Sequence, residues 1–297
     1  MSVWSTVFIG AGVVGTTFGY LLSEDAQFEI RGFYSRSNTS SRRAVKRVGS
    51  GVVYEDVSDA VSAADLIFIT TPDDAVGGIA QKIAAGDQLS EGAVLLHTSG
   101  ALKSDVLRWP SDVQYFCASM HPLQSFANWK AACKLLPESL IVVEGDEVGI
   151  STAASAAEAL GVECQVINPD GKSLYHAAAC VASNYLVVLL ELALSLEESA
   201  GLSRQKALLA LEPLVKGTLQ NIKEQGTVEA LTGPVARGDL DTIKMHLSEM
   251  SDKPQQQRLY RVLGQSALEI ACAKGTVDDR TAEKLNSLLK EEVTQNE

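Results

Sequence analysis

The chain has no C-x-x-C pair, no internal repeat and no low-complexity tract. Its five cysteines, Cys117, Cys133, Cys164, Cys180 and Cys272, are odd in number and widely scattered. That excludes a disulfide framework and gives no zinc-site spacing, so a reducing cytoplasm is expected. Positive charge is scarce: 25 Lys and Arg stand against 37 Asp and Glu, a net charge of −12. Nucleic acid and anionic membrane surfaces need a basic face, so neither is expected as the main partner. No basic segment precedes the first apolar run, and no signal peptide is read there. One stretch is membrane-like, Ala177 to Leu196, but it contains Asn184, Glu191 and many small residues. This favours a fully buried helix over a membrane span.

What is present is an ordinary globular composition, 46% apolar and 21% charged over 297 residues, long enough for two domains. In the first half, short apolar runs (Val7 to Ile9, Glu29 to Tyr34, Val52 to Tyr54, Leu66 to Thr70, Val94 to His97, Tyr115 to Ser119) alternate with helical patterns such as Val13 to Leu22 and Ala75 to Ala85. The alternation predicts a parallel sheet with crossover helices. A strand at Leu140 to Val143, a helix at Ile150 to Leu160 and a strand at Val162 to Val166 complete that domain, and only helices follow. The expected fold class is therefore α/β: a doubly wound parallel sheet over residues 1–167, then an all-helical domain over 168–297. An acidic tail from Lys290 is expected to fray.

The first apolar run breaks into Gly10-Ala11-Gly12-Val13-Val14-Gly15. In G-x-G-x-x-G spacing the first glycine allows a sharp turn, the second lets backbone N–H groups approach a pyrophosphate, and the third lets the helix pack close to the sheet. About twenty residues on, where NAD-specific domains place an acid on the adenosine ribose, the chain reads Tyr34-Ser35-Arg36-Ser37-Asn38. Between Glu29 and Glu55 there are Arg31, Arg36, Arg42, Arg43, Lys46 and Arg47 and no carboxylate. A guanidinium matches phosphate geometry, so NADP is the expected cofactor, with Arg36, Ser35 and Ser37 on the 2′-phosphate. Arg42, Arg43, Lys46 and Arg47 serve the same end or form the solvated face of a helix. Thr70, Thr71 and Pro72, leaving the fourth strand, should lie along the cofactor, and Asp73 or Asp74 should cap the next helix.

Ligands of such sheets lie beyond the carboxyl ends of the strands, which singles out Ser99 and His121. Ser99 precedes Gly100, so it contacts substrate or serves the turn. His121, held by Pro122, transfers a proton or bonds the backbone. Along the helix expected from Ser173 to Ser199, His176, Cys180 and Asn184 recur every fourth residue. These polar groups face the cofactor or bond neighbouring helices. The helix is apolar nearly all round, which suggests a homodimer. In Leu231-Thr232-Gly233-Pro234-Val235-Ala236-Arg237-Gly238-Asp239, Asp239 should cap a helix, and Arg237 either clamps a substrate carboxylate or makes a salt bridge.

Together with Thr71-Pro72-Asp73-Asp74, His97-Thr98-Ser99-Gly100, His121-Pro122-Leu123-Gln124-Ser125-Phe126, Tyr175-His176-Ala177-Ala178-Ala179 and Ser183-Asn184-Tyr185, these motifs resemble a Rossmann-like NADP-dependent oxidoreductase family with a helical C-terminal domain of unassigned function. The resemblance implies a relative of 6-phosphogluconate dehydrogenase, ketopantoate reductase and pyrroline-5-carboxylate reductase. It differs from the better-known ketopantoate reductases, which are similar but carry a lysine and two asparagines where His176, Cys180 and Asn184 stand. His121 resembles the His-Pro histidine of prephenate dehydrogenases. The expected activity is NADPH-dependent reduction of a small carboxylate-bearing carbonyl compound, with His176 or His121 as acid, Asn184 orienting and Arg237 as clamp. An imine reductase and a non-catalytic NADP(H)-sensing dimer are the alternatives.

Overall fold

The computed structural model describes residues 3–290, so the tail beyond Lys290 lies outside the described residues. Strands β1 (Trp4–Ile9), β2 (Phe28–Tyr34), β3 (Val52–Tyr54), β4 (Leu66–Ile69), β5 (Ala93–His97), β6 (Tyr115–Pro122), β7 (Leu140–Gly145) and β8 (Glu163–Val166) form one sheet in the order β3-β2-β1-β4-β5-β6-β7-β8. Helices α1 (Val13–Leu22), α2 (Asn38–Val48), α3 (Val57–Ser62), α4 (Asp73–Gly86), α5 (Trp129–Leu135) and α6 (Glu147–Ala159) are interspersed among the strands. The apolar runs of β1 and β4 are continuous because both faces of the sheet are covered. Phe8 and Phe68 stack on one face with Phe33, under α1, α2 and α6. Val7, Ile9, Ile67 and Ile69 pack on the other face with residues of α3 and α4.

The sheet departs from the expected parallel order at one pair. β6 and β7 run antiparallel, with Ser119 opposite Glu144 and His121 opposite Val142. The segment carrying α5 therefore begins and ends at the same end of the sheet instead of crossing it. On its other side Ser119 pairs in register with His97 of β5. His97, Ser119 and Glu144 thus form a row across three strands, and all three are buried.

The remaining helices are α7 (Lys172–Cys180), α8 (Leu186–Ser199), α9 (Arg204–Ala230), α10 (Leu240–Glu249), α11 (Pro254–Lys274) and α12 (Asp279–Leu289), with one π-helical turn, Val181–Tyr185, between α7 and α8. Compactness divides the chain between Leu186 and Val187, beyond the 167/168 boundary read from the sequence. The reason is chemical: Lys172 opens α7 as a buried residue bonded to Glu144 and Ser119, so this helix is held by the sheet domain.

In the second unit Val235, Ile243, Leu247, Leu268, Leu285 and Leu289 form the main core. Asp239 caps α10, accepting the Thr242 N–H at 3.1 Å and its hydroxyl at 2.7 Å. Pro254 opens α11, and Gly226 breaks the helical course of α9 at φ +79°. The apolar stretch is not buried as expected. Residues 169–199 are long and apolar enough to cross a membrane, yet only 6% of the most apolar window is buried. The helices of one chain do not cover it: Val187 is 66% exposed, and Leu209 and Leu214 of α9 are 64% and 65% exposed.

Candidate functional site

The glycine loop has a distinct constraint at each position. Gly10 turns at φ +118°, where a Cβ would lie 2.6 Å from the Thr70 carbonyl, and a Cβ on Gly15 would run into Gly10 O and Thr70 Oγ1. Thr70 also donates its hydroxyl to Gly10 O at 2.7 Å, which ties β4 to the loop. Gly12 differs, because a Cβ there would meet nothing within 4 Å. It stands at the N-cap of α1 without a side-chain cap. The first turn's N–H groups beside Ala11, Val13 and Val14 therefore remain available to an anion in open space. Thr71 Oγ1 is buried with no partner among the described residues, and Pro72 follows it. An uncapped helix start, open space at Gly12 and an orphaned hydroxyl fit a dinucleotide. Asp73 and Asp74 do not cap α4 as expected: Pro72 holds the N-cap, and the two aspartates sit in the first turn, where they complement the helix dipole.

The basic stretch from β2 into α2 divides by partner. Arg31 pairs with Glu29 at 3.0 Å, Arg43 donates to Ser40 Oγ at 3.4 Å, and the Arg47 guanidinium lies 5.2 Å from the Trp129 ring centre. Arg36 is exposed in the link between β2 and α2, flanked by Ser35 and by Ser37, which is the N-cap of α2 without a side-chain bond. The α2 first turn carries no acid. This link can accept a phosphate.

At the carboxyl ends of β5 and β6, two histidines distant in sequence come together. The His121 and His176 rings stand 5.8 Å apart, edge to face. A Cβ on Gly100 would lie 2.8 Å from His121 Nε2 and would overlap His176 Nδ1, so both imidazoles converge over Gly100, where any larger residue would displace the rings. His121 Nδ1 bonds the Tyr175 hydroxyl at 2.9 Å. His176 Nε2 lies 3.6 Å from Cys180 Sγ, while its Nδ1 is buried without a partner among the described residues. His121, Gln124, Tyr175, His176, Cys180 and Asn184 line part of a cavity of about 500 Å³. Burial, then the neighbouring His176 and Lys172, lower the His121 pKa to about 4. Burial pushes the Tyr175 phenol up to about 12. At neutral pH the site thus holds a neutral imidazole bonded to a protonated phenol, a set that can donate, accept and pass a proton.

Asn184 lies on the π-helical turn, exposed and at the cavity wall. That turn shifts the phase of the every-fourth-residue stripe, as π-helical turns do. Ser99 serves the turn: its hydroxyl accepts the N–H groups of Ala101 and Leu102 at 3.1 and 3.0 Å. Arg237 belongs to the second unit, exposed in a turn whose N–H groups bond back to Gly233 and Pro234. The sequence reading gave no role to Tyr175, Lys172 or Glu144. Tyr175 carried a weak signal, standing beside His176 in a motif. Lys172 and Glu144 carried none, since a lysine opening a helix and a glutamate ending a strand are ordinary surface residues.

No curated protein matches the chain in sequence. Residues 3–122 match a Rossmann-like domain and residues 139–267 match the domain of unknown function DUF2520. Among solved structures, protein TM1727 from Thermotoga maritima is 27% identical, with a TM-score of 0.70 over 91% of this chain and 99% of its own. A candidate NADP oxidoreductase from Bacteroides fragilis is 25% identical, with a TM-score of 0.73 over 90% and 98%. Pyrroline carboxylate reductase from Plasmodium falciparum, solved with NADP bound, shares the fold at 12% identity and a TM-score of 0.57 over 98% and 100%. The chain thus carries a Rossmann-like domain over residues 3–122 followed by a DUF2520 domain over residues 139–267, in a fold shared with solved NADP-linked oxidoreductases.

Proposed function

We propose that the chain is an NADPH-dependent reductase of a small carboxylate-bearing carbonyl compound, a 2-oxo acid such as 2-dehydropantoate, acting as a cytoplasmic homodimer. The observation that carries this reading is the convergence of His121 and His176 over Gly100, at the end of the sheet where doubly wound folds bind ligands. The loop from Gly10 to Gly15 and Thr71 would hold the dinucleotide, and Arg36 with Ser35 and Ser37 its 2′-phosphate. Bound NADPH supplies hydride. The chain's own part is to hold the carbonyl and serve its oxygen. His121 Nδ1 bonds the Tyr175 hydroxyl; in the tautomer in which that hydroxyl donates, Nε2 carries the ring proton above Gly100, and as Nε2–H goes to the substrate oxygen the phenol proton passes to Nδ1, so the imidazole stays neutral. His176 offers a second imidazole to the same space. Asn184 provides an amide for orientation. The exposed apolar helices support the dimer, and the free cysteines support the cytoplasm.

His121→Ala and His176→Ala test the reading. Loss of a general acid lowers kcat about 10²-fold or more while NADPH affinity holds; turnover within a few-fold of wild type in both variants would show that neither histidine is the acid. Arg36→Ala is expected to weaken NADPH by about tenfold, near 1.4 kcal/mol, and to leave NADH unchanged. Equal loss for both cofactors removes the 2′-phosphate assignment.

A second reading is imine reduction, favoured by the neutrality of His121 at pH 7. An iminium substrate brings its own proton, so no charged acid is needed. Amine product in place of alcohol distinguishes the two.

A further inference from the structure

Lys172 and Glu144 have side chains 2% and 1% exposed, with Nζ 3.0 Å from Oε1. Each member of the pair has further bonds. Glu144 accepts the Ser104 N–H and the Ser104 hydroxyl, each at 2.8 Å, and Lys172 Nζ also donates to Ser119 Oγ. Removing two charges from water costs as much as their attraction returns, so burial of such a pair is poorly explained by stability alone. Its connections explain it better. Ser119 donates its own hydroxyl to the Ser99 carbonyl at 3.2 Å, next to Gly100, the floor under both imidazoles. On α7, Tyr175 and His176 stand three and four residues after Lys172, the spacing of one helical face. A single ammonium group therefore fastens both the floor of the histidine site and the helix that forms its wall.

We propose that the Lys172–Glu144 pair is a positioning device that sets the register of α7 against β6, so that Tyr175 and His176 meet His121 above Gly100. The proposal rests on the reading of this cavity as the reaction site. The pair also shapes the charge around His121. The titratable and charged groups grouped there are His97 on β5, Asp73 at the start of α4, Glu144 on β7, and Lys172, Tyr175 and His176 on α7. Lys172 is the cation among them, and it opposes protonation of both His97 and His121.

The test uses the full chain labelled with 15N-histidine, which gives signals from four residues only. The double substitution Lys172→Met and Glu144→Gln removes both charges together. The expected result is a cooperatively unfolding protein that binds NADPH within about twofold of wild type. In it His121 titrates at higher pH, the His121 and His176 ring signals shift, and His246 of the second unit stays unchanged. With a 2-oxo acid as substrate, kcat falls about tenfold and KM holds. Unchanged His121 and His176 signals in the folded double variant overturn the proposal. Should that variant not fold, Ser119→Ala removes one acceptor of Lys172 and keeps both charges; displaced His121 signals then support the proposal, and unmoved ones overturn it. The NMR readout needs no substrate. Moved ring signals alongside unaffected turnover in His121→Ala and His176→Ala leave the positioning role standing and remove the two histidines as acids, whereas moved ring signals with no NADPH oxidation by any carbonyl or imine compound remove the reductase reading.

Discussion

At the scale of single residues, the glycine loop separates folding from binding. Gly15 packs where a methyl group would strike Gly10 O and Thr70 Oγ1, while Gly12 opens on empty space. Gly15→Ala is expected to lower the unfolding midpoint by several degrees, since forced overpacking costs about 1–3 kcal/mol. Gly12→Ala is expected to leave that midpoint within about a degree and to weaken NADPH about tenfold or more, because its methyl group fills the space an anion would take. Thermal melts with and without cofactor check both; a Gly12→Ala protein that binds normally contradicts the phosphate assignment. The loop was legible because its constraints are local. The buried partnership of Lys172 with Glu144 was not, since 28 residues separate the two and only the docking of the start of α7 on the sheet brings them together.

At the scale of elements, the ends of β5 and β6 concentrate the titrating groups. His97 closes β5, fully buried, donating from Nε2 to the Lys103 carbonyl at 3.2 Å and accepting the Ser99 N–H at Nδ1. Burial and the nearby Lys172 lower its pKa to about 4. Its folded value lies below the unfolded value of about 6.5, so between these values the unfolded chain binds the extra proton. Stability therefore falls as pH drops from about 6.5 to about 4, by roughly 3 kcal/mol at most for this group. His121 acts in the same direction. Urea midpoints from pH 7 to pH 5 should fall in wild type and fall less in His97→Asn, whose amide retains both kinds of hydrogen bond. Parallel slopes would assign the acid sensitivity elsewhere. The alternation of strands and helices showed these elements in the sequence. The reversal of β7 did not show, because an antiparallel neighbour leaves the same apolar pattern as a parallel one.

For the whole molecule, the main departure from expectation is the exposure of the apolar helices. Val187 on α8 and Leu209 and Leu214 on α9 are each more than 60% exposed, and exposed apolar residues that gather into a patch mark association. The proposed homodimer should appear in sedimentation velocity at micromolar concentration, and Val187→Asp combined with Leu214→Asp should give a monomer. A wild-type protein that sediments as a monomer at tens of micromolar ends that proposal. The sequence indicated the apolar stretch correctly but not its burial, which depends on how many neighbours one chain can supply.

The antiparallel joint between β6 and β7 has an engineering consequence. The Rossmann-like match ends at residue 122 and the DUF2520 match begins at residue 139, so the seam between modules falls inside the sheet at this joint. His121, Ser119 and Gly100 lie before it; Glu144, Lys172, Tyr175 and His176 lie after it. Chimeras that graft a different nucleotide preference onto this chain must therefore cross over upstream of β5, so that the donor brings the glycine loop and Arg36 link while both halves of the histidine pocket stay with one parent.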